Sequence, residues 1–396
     1  MTATTITEQS SDRFLADRAK IFTGTPLQTL PTRDYISLSQ GTPDLPTPQH
    51  AIDAVKEYLD GGTVYYTFHD GMLELREAIS AYLKREHDLE YDAQEEIIVT
   101  AGTQEGMFVA LFGTLNPGDV ILAADPHYMI YDEVVHLAGA EVRLVPTVPD
   151  SGFQIDVDAL EAAIDDRVRA ILVVSPDNPT GSVQSRETCE RIADIAKKHD
   201  LLVFADELYA RFLFDGAEHF SIANIPGMHD RTITINGFSK AFAMTGWRVG
   251  YLAVPAAMKN ALTSIKHACS ICAATPSQVA ALAILNGPTE PLDAMMAEWT
   301  ARREYLLTRL TDMGLAPVRT PGSYYIVFDA SSSGLTGQEF AKALFEEEDV
   351  RVGGGAIWGP AMTDYVRVSF MITKEQLEEG LDRMERFYKR RLEAAS

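Results

Sequence analysis

Three cysteines in 396 residues are too few for a disulfide framework, and basic residues are outnumbered, with 34 Lys and Arg against 57 Asp and Glu for a formal charge of -23. Such an acidic surface repels phosphate backbones and anionic headgroups, since nucleic-acid binders need a basic footprint to release counterions. No nucleic acid and no membrane is expected as a partner. Long hydrophobic runs are also missing: no window approaches the ~20 apolar residues of a membrane span. The opening MTATTITEQSSDRF has no apolar stretch to serve as a secretory signal, so a cytoplasmic protein is expected. Cys269 and Cys272 form a CxxC, yet a structural zinc needs four ligands and no second pair accompanies them. Together with Cys189 they read as small packing residues in a reducing compartment, and no metal is expected.

What the chain does contain is 46% hydrophobic and 23% charged residues, the balance of a globular protein with a sizeable core. Its length exceeds the ~250 to 300 residues at which single cores stop growing, which predicts two lobes. Short apolar runs at 97–100, 120–123, 141–145, 170–175, 201–205, 232–235 and 249–253 predict seven strands, several apolar throughout, as in sheets covered on both faces. Amphipathic stretches separate them; in 186–199, Cys189, Ile192, Ala193 and Ala196 recur at i, i+3, i+4 and i+7. The expected fold class is therefore α/β, with a mostly parallel seven-stranded sheet flanked by helices in a large domain spanning 49–288. After Pro288 the text becomes more charged, predicting a helix at 292–313, a strand at 323–328, a helix at 337–347 and a strand at 365–370, a smaller α+β domain over 289–396. Residues 1–48, ending in GTPDLPTP, read as an arm and part of the small domain. The runs Glu346 to Asp349 and Lys389 to Arg391 read as solvated helix ends without a function.

Ligands of open parallel sheets bind beyond the carboxyl ends of the strands, and chemistry-bearing residues collect there. Gly102, Thr103 and Gln104 follow the first strand and open a helix whose amides favour a phosphate. Asn178 follows the fourth, held out of helical space by Pro179. Asp206 and Tyr209 follow the fifth, and a carboxylate at a buried strand end demands a cation. Lys240 follows the sixth, with Ser239 beside it and Arg248 eight residues on. One ligand accounts for all of them, namely pyridoxal 5'-phosphate: its ring cation on Asp206, its phosphate on 102–104 with Ser239 and Arg248, its phenolic oxygen on Asn178 and Tyr209, and its aldehyde on Lys240.

The runs NPTG (178–181), DELY (206–209) and FSKAFAMTGWRVGY (238–251) resemble the class I/II aminotransferase family of fold-type I pyridoxal-phosphate enzymes. Further matches at 41–48, 66–79, 116–122, 125–142, 321–325 and 365–370 spread the resemblance along nearly the whole chain. It implies an aspartate aminotransferase-like fold, Lys240 as the Schiff-base lysine that also carries protons, and Asp206 as partner of the ring nitrogen. It further implies that Tyr209 and Asn178 contact the phenolic oxygen, that Tyr128 stacks on the ring, though Tyr131 is close enough in sequence to do so instead, and that Arg367 and Gly41 receive the substrate's α-carboxylate. Tyr66 matches the tyrosine that reaches the neighbouring subunit's phosphate, which implies a homodimer with shared active sites.

The implied activity is transfer of an amino group from an L-amino acid to a 2-oxo acid such as 2-oxoglutarate. A carbon–sulfur β-lyase or another eliminating or cyclising enzyme on the same fold is the alternative, because fold type does not fix reaction type. Three departures from the family pattern stand out. Gly237 replaces a frequent phosphate-binding serine; Thr103 stands where some acid-preferring members carry lysine; Gly354 replaces a common proline, which predicts a looser loop at 352–361. The side-chain pocket is expected from 21–25, Tyr65, Tyr66 and the loop near Trp358, and its apolar character favours neutral or aromatic amino acids.

Overall fold

The structure, a computed structural model, describes residues 14–22 and 33–395. In chain order its strands are β1 (Ile36–Ser37), β2 (Ile97–Thr100), β3 (Val120–Asp125), β4 (Glu141–Val148), β5 (Gln154–Ile155), β6 (Val168–Val174), β7 (Leu202–Asp206), β8 (Thr232–Gly237) and β9 (Gly250–Ala253). They continue with β10 (Ala316–Val318), β11 (Tyr325–Asp329), β12 (Val350–Arg351), β13 (Gly353–Gly354) and β14 (Tyr365–Ser369). The helices are α1 (Gln49–Asp60), α2 (Leu73–His87), α3 (Thr103–Thr114), α4 (Ile130–Leu137), α5 (Val157–Ala162) and α6 (Arg186–Lys198). After them come α7 (Ala256–Ser270), α8 (Thr275–Asn286), α9 (Glu290–Asp312), α10 (Gly337–Glu348) and α11 (Lys374–Ala395).

The large sheet has the order β2-β9-β8-β7-β6-β3-β4-β5. All seven expected strands are in it, and β5 adds an eighth, two residues long and antiparallel to β4, too short for any periodicity to reveal. The central pairs β4–β3, β3–β6, β6–β7 and β7–β8 are parallel, while β9 runs antiparallel to both β8 and β2. From β3 the chain builds outward through β4 on one side and returns through β6, β7 and β8 on the other. The carboxyl ends of β3 and β6 therefore flank a switch point, where a crevice must open.

Each face of this sheet is covered. Ile98, Ile121, Ile235 and Leu252 pack against Met107 and Leu111 of α3 and Leu262 of α7. Strand residues that alternate with these point to the other side, where Leu122, Ile171, Val173 and Val203 meet Ile192 and Ala196 of α6, the stripe expected from its spacing. A third cluster runs from Val99 and Phe212 through Trp299 of α9 to Phe328 and Phe340, without a break, into the second sheet. That sheet, β10-β11-β14-β13, is antiparallel, and β1 joins the same end of the molecule by pairing with β12.

Two sequence expectations need correction. The acidic and basic runs are not independent solvated ends: Glu348 lies 3.1 Å from Arg386 and 2.8 Å from Arg390, and Glu347 meets Arg390 and Arg391. Acids at the carboxyl end of α10 oppose its dipole, and the arginines of α11 offset that charge. The loop at 352–361 is not loose either. A Cβ on Gly354 would stand 2.5 Å from Gln338 Oε1, and Gly353 and Gly355 are pressed against Trp358 and the backbone of Met362. Of the cysteines only Cys189 is buried, and Cys269 is exposed.

Arg303, 1% exposed, ties α9 to the segments beside the crevice, giving hydrogen bonds of 2.8 Å to Asp215 Oδ2 and to the Thr320 carbonyl. Hydrogen bonds from Arg303, and then from Arg319, pull the Asp215 carboxyl down to about 2. Arg303→Leu should cost about 2 to 3 kcal/mol in urea denaturation, at the low end for a broken buried pair because the Asp215 side chain is 35% exposed and keeps Arg319. A carboxyl whose folded pKa lies below its unfolded one contributes stability that is complete above about pH 4 and fades as the pH falls toward 2, so the two denaturation curves should converge over that interval.

Candidate active site

The crevice beyond the strand ends has a volume of about 1190 Å³ and takes its walls from both sheets. Its floor holds Asp206, the last residue of β7. Burial pushes the Asp206 carboxyl up, while the Tyr131 hydroxyl, donating to Oδ2 at 2.5 Å, and the Leu208 amide, donating to Oδ1 at 3.0 Å, pull it back down. Among the described residues no Lys, Arg or His approaches it within ion-pair distance. A carboxylate held this way is a seat for a cation supplied from outside the chain.

Lys240 follows β8 in a turn. Its Nζ donates to the Gly41 carbonyl at 2.6 Å and meets no carboxylate. Burial first, and then the positive charges of Arg248 and Arg367, bring the amine down to about 8, so about a tenth is the free base at pH 7, far more than for an ordinary lysine. An amine at that value can act as a nucleophile toward a carbonyl or move a proton.

One end of the crevice suits a phosphate. Gly102 has φ 81°, leads into the first turn of α3, and lies so close to Arg248 that a Cβ would stand 2.5 Å from the guanidinium. Arg248 adopts φ 54°, an uncommon backbone for a long charged residue, held by the switch from turn to β9. The Ser239 hydroxyl is buried in the same wall and has no hydrogen-bond partner. At Gly237, where a serine is frequent in the resembling family, a Cβ would stand 2.9 Å from Gly250 Cα. Close pairing of β8 with β9 therefore excludes the side chain there.

At the other end sits Arg367, 8% exposed, on β14. Its Nη1 donates to Asn178 Oδ1 at 2.6 Å and its Nη2 to the Ser39 carbonyl at 3.3 Å, while its Nε has no partner. The guanidinium is sandwiched between the rings of Tyr325, 3.7 Å from the centroid, and Trp358 at 4.2 Å. A planar fork fixed from both faces is prepared for a carboxylate.

Lys240, Asp206, Asn178, Tyr209, Tyr128, Ser239, Arg248, Thr103, Gln104, Gly41 and Arg367 all line this one crevice, and Gly102 backs it behind Arg248. Tyr66 does not: it is 78% exposed on the loop before α2, away from the crevice of its own chain. Both tyrosines left open in sequence line the crevice, and they differ in their partners: Tyr131, 1% exposed, donates its hydroxyl to Asp206. Residues 23–25 of the expected side-chain pocket, and the side chain of Ile21, lie outside the described residues. Tyr324, Tyr325, Ser39 and the stacking role of Trp358 were not among the expected site residues, and PGSYY at 321–325 was the one signal for the two tyrosines.

The donor set fits pyridoxal 5'-phosphate: an unpartnered buried hydroxyl, helix-start amides and an arginine for a dianion, a carboxylate for a ring cation, and an amine at about 8 for an aldehyde. The pattern of the family described as aminotransferase class I and II matches residues 33–384. The chain is 39% identical over 356 residues to an aspartate aminotransferase of Pyrococcus abyssi, covering 89% of this chain and 92% of that one. It is 38% identical over 356 residues to aromatic-amino-acid aminotransferase 2 of Thermococcus litoralis, with the same coverage of 89% and 92%. The crystal structure of an aromatic aminotransferase from Pyrococcus horikoshii matches with a TM-score of 0.88 at 39% identity, over 91% of this chain and 97% of that one. With the fold, the donor set and these likenesses in agreement, the chain belongs to the class I and II aminotransferases and is an amino-acid aminotransferase that uses pyridoxal 5'-phosphate.

Proposed function

We propose that Lys240 is the catalytic residue, bonding the cofactor at rest and moving the substrate's α-proton during turnover. The observation that carries this reading is a buried amine, lowered to about 8, that donates to the Gly41 carbonyl and forms no ion pair with a carboxylate among the described residues. Asp206 holds the ring nitrogen, Asn178 and Tyr209 meet the phenolic oxygen, and Tyr128 covers the ring. The start of α3 with Gly102, Thr103 and Gln104, together with Ser239 and Arg248, holds the phosphate. Once bound, the cofactor supplies an electron sink for the charge that develops at the substrate's α-carbon. Arg367, flanked by Asn178 and by the Gly41 backbone, grips the α-carboxylate and so aims the α-hydrogen at Lys240 Nζ. The amine takes that proton as a base and returns it as an acid, within crevice walls built from the two lobes, 49–288 and 289–396 with the described part of 1–48.

The substrate side of the crevice favours a neutral or aromatic amino acid. Trp358, Ile357, Tyr35 and Tyr128 line it, and Thr103 presents a hydroxyl rather than a cation. Lys342 and Arg351 line its outer wall and can meet the distal carboxylate of a 2-oxo acid such as 2-oxoglutarate.

A homodimer follows from the loop before α2, where Val64, Tyr65, Tyr66 and Phe68 are 49%, 74%, 78% and 79% exposed. The loop is fixed, with Thr275 Oγ1 donating to the Tyr65 carbonyl at 2.7 Å and Gln278 Nε2 to Thr67 Oγ1 at 3.0 Å. A rigid, contiguous aromatic surface of this kind calls for a covering partner, and a second copy that receives Tyr66 at its phosphate end satisfies it.

Four measurements test this reading. Lys240→Ala should retain cofactor but lose the full cycle, by at least about 10⁴-fold in kcat; turnover near the wild-type rate removes the proposal. Arg367→Lys should lower kcat/KM for amino acids by about 100-fold, since a point charge cannot replace a stacked fork, and a panel of amino acids added to the holoenzyme should convert aromatic and neutral members faster than aspartate. Mixing Lys240→Ala with Tyr66→Ala chains should restore about a quarter of wild-type activity, because random pairing gives hybrids with one intact site; no recovery argues against a shared site.

A further inference from the structure

We propose that Tyr324 is a positioning residue for Lys240, its hydroxyl fixing the Gly41 carbonyl that also receives the lysine amine and thereby setting where that amine stands and how readily it gives up its proton. The inference rests on the reading of Lys240 as the proton-moving group. Two donors share one acceptor here: Lys240 Nζ at 2.6 Å and the Tyr324 hydroxyl at 2.8 Å both point at the Gly41 oxygen. A carbonyl has two lone pairs, so this one is saturated.

The arrangement is rigid from every side. Tyr324 is fully buried, its ring edge-on to Tyr209 at 5.4 Å and Phe212 at 5.2 Å and tilted against Tyr325 at 4.4 Å. Gly41 has no room to shift toward it, for a Cβ would stand 2.8 Å from the Tyr325 hydroxyl and 3.3 Å from that of Tyr324. Tyr325 in turn donates to the Tyr324 oxygen at 3.3 Å, so the bonds run in one direction, from Tyr325 to Tyr324 to Gly41. Each donor in such a chain polarises the next. Because the Tyr325 ring also stacks on Arg367 at 3.7 Å, the chain connects the carboxylate seat to the lysine.

Burial keeps the Tyr324 phenol well above its ordinary value, so it stays a donor throughout the working pH range. Its dipole presents a positive end to the carbonyl beside the amine, which disfavours the ammonium form in the same sense as the charges of Arg248 and Arg367. Tyr324 itself does not line the crevice, so removing its hydroxyl leaves the substrate's contacts in place and frees the Gly41 oxygen to hold an ammonium more strongly.

The test uses the full-length holoenzyme with its cofactor in the amine form, in which Lys240 is free. Trace acetylation over a range of pH, read by mass spectrometry of the Lys240 peptide, reports the amine's titration. In Tyr324→Phe the half-labelling pH should rise by about half a unit or more, and the acid limb of kcat should move with it while KM changes less than about twofold. Tyr325→Phe, which removes only the polarising donor behind Tyr324, should give a smaller rise in the same direction and serves if Tyr324→Phe does not fold. Labelling that coincides with wild type in the folded variants, or a kcat loss equal at every pH, overturns the inference. Turnover by Lys240→Ala would instead overturn the reading on which it rests, and the two failures are thereby distinct.

Discussion

The whole site depends on keeping an amine away from carboxylates in a protein with 57 of them. A lysine in an arbitrary setting finds an acid or water and stays protonated, and a proton it never releases cannot serve catalysis. Lys240 instead meets a carbonyl, the Tyr324 ring and the positive charges of Arg248 and Arg367, while Asp206, which lines the same crevice, is engaged by the Tyr131 hydroxyl and the Leu208 amide. Separation of the two is a matter of strand order. Asp206 ends β7, Lys240 follows its neighbour β8, and the parallel pairing of these strands sends both side chains beyond the same edge without bringing them into contact.

The same separation explains why residues from beyond the parallel sheet are needed. The parallel sheet supplies acid, amine and phosphate seat at its carboxyl edge, but every such residue faces upward into open crevice. Arg367 descends from the antiparallel sheet, and Gly41 from the segment that passes between the two. Their hydrogen bonds to Asn178 and from Lys240 tie both to residues that follow strands of the parallel sheet, so the geometry around Lys240 is also the geometry of that contact. The unbroken core from Val99 through Trp299 to Phe340, with Arg303 bound to Asp215 and Thr320, holds that contact in register.

Much of this was legible because the strands that carry chemistry are apolar throughout and end in residues that make no sense as core. Asp206 after LVFA, Asn178 before a proline and Lys240 in a small-residue turn each announce a strand end, and the sheet brings them to one crevice. Strands of two or three residues, β1, β5, β10, β12 and β13, were invisible, since alternation needs a longer run. The stripe Leu377, Leu381, Met384 and Phe387 of α11 obeys the same helical spacing as α6 and was open to reading, though absent from the expected elements. Glycine misled in one place: Gly354 in place of a common proline suggested a looser loop, and the structure uses 353–355 for close approach to Trp358, Gln338 and Met362.

What no pattern could supply is the partner of a partner. Tyr131 against Asp206, Tyr325 under Arg367 and Tyr324 on Gly41 are each ordinary aromatic residues near a motif, and their significance lies in which ring or hydroxyl reaches which group, over 75 positions of sequence in the first case and 283 in the last. Phenols suit this task because they bring bulk that locks a core together with one donor that must be satisfied, so packing and polarity specify the same orientation. Three of them around one crevice mean that the amine, the acid and the carboxylate seat are all tuned by groups whose positions the hydrophobic core decides. On the role proposed for Lys240, its reactivity is in that sense a property of how Phe212, Tyr209 and Trp299 pack, and a change in that packing would reach the proton without touching the substrate.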